Sequence, residues 1–73
     1  MLTLYSRHDC PLCEEVELML QALAIAYRFV DIDLDEKLRK KYHVLVPVLH
    51  NQHGHELRFP FSPEQIKKLA GDL

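Results

Sequence analysis

The amino-acid sequence predicts one α/β domain over residues 1–73, built on a four-stranded mixed sheet. Three observations carry that expectation. A strand-like run, an amphipathic run and a second strand-like run follow one another in the first half of the chain, the pattern of a parallel β-α-β unit. Two short apolar runs flank the turn-forming stretch Asn51-Gln52-His53-Gly54 in the second half, which is the signature of an antiparallel hairpin. With 73 residues, the chain supports one hydrophobic core and is too short for two.

Leu2-Thr3-Leu4-Tyr5 reads as the first strand, with mixed faces that suit a central position. Ser6-Arg7-His8-Asp9 forms the loop that delivers Cys10. In the apolar-periodic segment Val16 to Ile25, residues Val16, Met19, Leu20 and Leu23 recur at i, i+3, i+4 and i+7 and define one helix face. Ala26 to Asp33 reads as the second strand, with Phe29, Val30 and Ile32 as strand formers and Asp31 and Asp33 marking its exit. Asp35 to Tyr42 reads as a short charged helix with Asp35/Arg39 and Glu36/Lys40 at i, i+4.

Val44-Leu45-Val46 leads into Pro47, and Val48-Leu49 makes the third strand. The fourth strand spans His55 to Phe59. Ser62-Pro63-Glu64-Gln65 carries the marks of a helix start, with Ser62 as N-cap, Pro63 at the first position and Gln65 completing a capping box. Ile66, Leu69 and Ala70 would pack this last helix on the sheet, and Gly71 ends it.

Cys10-Pro11-Leu12-Cys13 falls where the first strand hands over to the first helix. Unpaired N–H groups and the positive end of the macrodipole favour an anion there. A thiolate at Cys10 would be stabilised, with a lowered pKa. Pro11 suits the first helical position, and Cys13 lies about one turn on, within reach of Cys10. A C-x-x-C beside a β-α-β pattern reads as a thiol–disulfide redox motif. Two other readings stand beside it. Zinc would need two of His50, His53 and His55 as further ligands, yet the hairpin sends those histidines about a strand length, roughly 15 Å, away. The thiol pair could also serve only to hold a partner. His8 is a candidate to stabilise the Cys10 thiolate or to pass a proton to the leaving thiol. Asp9, Glu14 and Glu15 oppose it, since negative charge raises a nearby thiol pKa.

Composition narrows the function classes. The net charge of −2 with five histidines argues against a nucleic-acid platform. No run approaches the roughly 18 apolar residues of a membrane span, and no signal-peptide pattern follows Met1. A cytoplasmic location is expected, where two cysteines serve catalysis or metal binding rather than a structural staple.

Tyr5-Ser6-Arg7-His8-Asp9-Cys10-Pro11-Leu12-Cys13 resembles the glutaredoxin signature Y-S-K-P-x-C-P-Y-C, and Val46-Pro47 before an apolar strand resembles its T-V-P segment. The chain is similar to small glutaredoxin-like proteins of the thioredoxin superfamily. The resemblance implies a thioredoxin-like sheet in the order second, first, third, fourth strand, with helices on both faces and the first and last sharing one of them. It implies that Cys10 is the nucleophile and Cys13 the resolving thiol of a disulfide reductase. It also implies that Pro47 is cis beside the cysteines, with the Val46 backbone free to pair with substrate, and that Arg7 meets a glutathione carboxylate.

The departures from that pattern are Leu12 for Tyr, Leu45 for Thr, and Arg58-Phe59-Pro60-Phe61-Ser62 where a Gly-Gly-acidic segment holds glutathione. Arg7, His8, Leu12, Val46, Pro47 and Phe59 are then the expected substrate-binding residues, on a surface that is more apolar and bulkier. The expected partner is a disulfide-bearing protein or a low-molecular-weight thiol, with glutathione among the candidates. No cofactor, nucleic acid or membrane is required, and the chain is expected to act as a monomer.

Overall fold

The computed structural model describes residues 1–71. Strand β1 (Leu2–Ser6) leads to helix α1 (Pro11–Ala22) and strand β2 (Tyr27–Asp31). A 3₁₀ turn (Ile32–Leu34) precedes helix α2 (Glu36–Tyr42), and a second 3₁₀ turn (His43–Leu45) leads to strand β3 (Val48–His50). Strand β4 (Glu56–Arg58) and helix α3 (Pro63–Ala70) complete the order. The sheet runs β2-β1-β3-β4. β1 and β2 are parallel, whereas β1/β3 and β3/β4 are antiparallel, as the two sequence patterns require.

Strand alternation divides the apolar residues between two faces. Leu2, Leu4 and Leu49 join Val16 and Leu20 of α1, Ile66 and Leu69 of α3, and Phe61 in the larger cluster. On the opposite face Ile32, Tyr42 and Val48 form a smaller cluster, against which Tyr5, Leu38 and Val46 pack. Thus α1 and α3 share one face and α2 covers the other. Each fully buried Leu or Ile is worth about 1.5–3 kcal/mol, so the larger cluster supplies most of the apolar stabilisation.

Local chemistry explains where several elements end differently from the sequence reading. β2 stops at Asp31, not Asp33, because the Asp31 carboxylate accepts the Asp33 N–H at 2.9 Å and turns the chain. That turn swings Ile32 into the smaller cluster. Helix α1 stops at Ala22, short of Leu23 and Ile25. Ala24 adopts a left-handed φ of 54°, and two N–H groups fold back, Ala24 to Gln21 O and Ile25 to Leu20 O, each at 3.0 Å. This is a Schellman stop, with Ile25 packing on the core that holds Leu20.

Asp35 is the cap of α2 and not its first residue. Its carboxylate accepts the N–H groups of Lys37 and Leu38, while Glu36 and Lys40 form the i, i+4 pair at 3.6 Å. β3 extends to His50, and β4 is shorter than expected, at Glu56–Arg58. The capping box of α3 is present, with Ser62 Oγ accepting from Gln65 N and Gln65 Oε1 from Ser62 N. Gly54 turns the hairpin at φ 86°, a conformation that side chains disfavour. Among the described residues, no helix is long and apolar enough to cross a membrane.

Candidate active site

Cys10 is the N-cap of α1. Its backbone is extended (φ −116°, ψ 100°), and its Sγ accepts the Cys13 N–H at 3.2 Å. The Cys10 carbonyl takes the first intrahelical bond, from Glu14 N at 3.0 Å, and Pro11 occupies the position where a missing N–H costs nothing. Asp9, at φ 55°, bends the loop into this cap. The two sulfurs are joined as a disulfide, with Cα atoms 5.2 Å apart. Cys10 remains half-buried, whereas Cys13 is only 2% exposed. In the reduced protein, the N–H donated to Cys10 Sγ and the helix N-terminus both favour a thiolate at that position.

Strand register brings the other expected residues to the same edge. Ser6 pairs with Asp31, Tyr5 with Val48, and Val48 with Arg58. Pro47 therefore sits at the C-terminal end of β1, and Phe59 follows one position beyond Arg58, at that same end. Pro47 is fully buried and its bond to Val46 is cis; Phe59–Pro60 is also cis, which the sequence reading did not anticipate. Val46 packs on the smaller cluster, and Phe59 packs on the larger one and meets Phe61 edge-on at 5.8 Å. Leu12 lies exposed on the first turn of α1.

The loop before Cys10 is tied to the end of β2. Arg7 grips Asp33 with two bonds, Nε to Oδ2 at 3.1 Å and an Nη to Oδ1 at 2.9 Å. His8 Nε2 stands 3.4 Å from Asp31 Oδ2, with its ring 5.9 Å from that of Phe29. The His8 side chain is exposed, while that of Asp31 is only 9% exposed. Arg7 was expected to face a ligand carboxylate; its guanidinium here faces a carboxylate of the chain itself. Asp31 and Asp33 are the site residues that sequence reasoning missed. The available signal was their place at the strand exit, since a parallel partner of β1 must end beside the Cys10 loop.

The histidines considered as zinc ligands lie elsewhere. His50 pairs with Thr3, near the start of β1, and His53 and His55 follow in the hairpin loop. A concavity of about 440 Å³ that His50 lines with Thr3 and Arg28 belongs to that remote end. Among the described residues, no group of three or more His, Cys, Asp or Glu is placed to hold a metal ion. The edge carrying Cys10 thus joins a capped dithiol, a cis-proline turn and an apolar rim.

Known proteins share this fold. Residues 1–70 match the family model of the Glutaredoxin-like domain. Target protein XcR50 from X. campestris is 42% identical in its X-ray structure, covering 93% of this chain and 92% of its own, with a TM-score of 0.84. Its solution structure gives 43% identity, 92% and 87% coverage, and a TM-score of 0.80. The thioredoxin-like protein BC3987 shares the fold at 23% identity, covering 94% of this chain and 99% of its own, with a TM-score of 0.72. No match occurs among curated proteins. Its cysteine pair at the α1 cap, its thioredoxin-like sheet and the match over residues 1–70 together establish that this chain belongs to the glutaredoxin-like domain family.

Proposed function

We propose that this protein is a thiol–disulfide oxidoreductase that reduces disulfides through Cys10 and Cys13. The observation that carries this reading is the asymmetry of the pair. Cys10 caps a helix, is accessible and receives an N–H, whereas Cys13 is buried one turn behind it. The Cys10 thiolate attacks one sulfur of the substrate disulfide. The Cys10–substrate bond forms, the substrate S–S bond breaks, and the departing thiolate takes a proton. Cys13, losing its proton, then attacks Cys10 Sγ and expels the second substrate thiolate. Two electrons and two protons pass to the substrate, and the Cys10–Cys13 disulfide remains. Glutathione or a thioredoxin-type reductase, available in the cytoplasm, restores the dithiol.

Val46 offers its backbone to an extended substrate, as an added strand would use it. Leu12 and Phe59 supply the apolar contacts, buried Pro47 shapes the turn that presents Val46, and His8, two residues before Cys10, is assigned the proton exchange. Asp33 already balances the Arg7 charge, which weakens its pull on a glutathione carboxylate and favours a polypeptide disulfide. The test is pulsed alkylation of the reduced protein followed by mass spectrometry, with Cys10 modified faster than Cys13 at neutral pH. A Cys13→Ser variant should trap a mixed disulfide with substrate, and Cys10→Ser should abolish reduction. Faster modification of Cys13, or a Cys10→Ser protein that still reduces disulfides, would overturn the assignment.

A further inference from the structure

Resting on that reading of Cys10, we propose that residues 34–45, running along the edge beside the dithiol, form a docking ledge for an acidic, apolar segment of a protein substrate. Topology places the ledge. β2 brings the chain to the active edge at Asp31, and β3 leaves from the same edge at Val48, so both ends of α2 lie along it. The inward face of α2 is consumed by Leu38 and Tyr42, which pack in the smaller cluster. The flanking apolar residues are left in water. Leu34 is 86% exposed, Val44 75% and Leu45 38%, and Leu12, between the two cysteines, is 45% exposed. The exposed apolar side chains at the two ends of α2 are the ones an apolar segment laid along residues 34–45 would cover.

Charge identifies the partner. The segment holds four cations (Lys37, Arg39, Lys40 and Lys41) against two carboxylates (Asp35 and Glu36) in a chain whose net charge is −2. Both carboxylates are already engaged, Asp35 in capping α2 and Glu36 with Lys40. Among the described residues, Lys37, Arg39 and Lys41 therefore have no carboxylate partner, and Lys41 Nζ is held 5.2 Å over the Tyr42 ring. On the α1 side of Cys10, the exposed Asp9, Glu14 and Glu15 have the opposite sign and form no ion pair among the described residues. An acidic chain is repelled from that side and attracted to α2, so the field sets its orientation as well as its rate of approach.

Two peptides with one apolar sequence around a disulfide, flanked by Glu in one and Lys in the other, test the ledge by titration calorimetry against the oxidised protein. The acidic peptide should bind about tenfold tighter, the scale of a few exposed charge pairs. The difference should vanish at roughly 1 M salt, where screening acts within about 3 Å. Its amide shifts should map to residues 34–45. The double variant Arg39→Glu/Lys41→Glu, with helical circular dichroism confirming its fold, should lose or reverse the preference. Equal affinities, or shifts confined to another face, would overturn the ledge. Wild-type turnover of an uncharged small disulfide is measured separately. Its absence would remove the oxidoreductase reading, whereas turnover without charge preference would remove only the ledge.

Discussion

Tyr27 shows how one side chain couples an element to a pH range. Its hydroxyl donates to Glu17 Oε1 at 2.7 Å, joining the start of β2 to α1, and Gln21 Nε2 stands 3.5 Å away. Partial burial raises its pKa above 10.0; the Glu17 hydrogen bond and charge add to the rise, and Gln21 opposes it. The unfolded chain therefore ionises at this residue first. The stabilisation is complete below pH 10 and is lost as pH climbs through the folded-state value. Tyr27→Phe should be less stable than wild type near pH 8, by about 1 kcal/mol for a lost hydrogen bond. Thermal melts between pH 8 and 11.5 should show that gap closing, and a gap independent of pH would deny the Glu17 bond this role. Little of this was legible beforehand, since Tyr27 read only as part of a strand. Cys10 and Pro11 were legible, because a cap and a first helical residue are recognised from adjacent positions.

Among the elements, the stop of α1 places a residue where its chemistry is unfavourable. Schellman stops prefer glycine at the left-handed position, and Ala24 fills it at φ 54°. A left-handed non-glycine residue costs roughly 1–2 kcal/mol. Ala24 is exposed, so removing its methyl sacrifices no packing. Ala24→Gly should stabilise the protein by about 1 kcal/mol, raising the melting temperature by roughly 4–8 °C in a domain of this size. An unchanged or lower melting temperature would mean that the flexibility glycine adds to the unfolded chain outweighs the relief of strain. The sequence pattern carried α1 on towards Ile25 because apolar spacing cannot register a reversal in which Ile25 still reaches the core. The α3 start was read correctly, since Ser62, Pro63 and Gln65 act within one turn.

For the molecule as a whole, stability depends on a central strand with few residues. Leu49 is fully buried in β3, opposite Leu4 of β1 and Leu57 of β4, within the larger cluster. Leu49→Ala should cost about 2–5 kcal/mol, from lost transfer energy plus the cavity left behind. A domain of this length holds only about 4–11 kcal/mol in total, so urea midpoints should fall steeply. A loss below about 1 kcal/mol would show that α1 and α3 can close over the gap. Asn51 contributes on the same scale. It is buried; its Oδ1 accepts the N–H groups of His53 and His55, and its Nδ2 reaches Leu69 O at 3.4 Å, linking the hairpin loop to α3.

The sequence by itself determined the order of elements, the mixed sheet, the capped last helix and the dithiol at a strand-to-helix junction. Each of these follows from residues within a few positions of one another, whose periodicity and capping chemistry act locally. Tertiary structure decided the rest. It turned Ile32 out of β2 into the smaller cluster and gave Asn51 its hold on Leu69. It also directed Arg7 to Asp33, 26 residues away, rather than to open solvent. Such pairings depend on which strand ends meet at one edge, and that is set by register and by the burial of two opposed faces, quantities no local window contains.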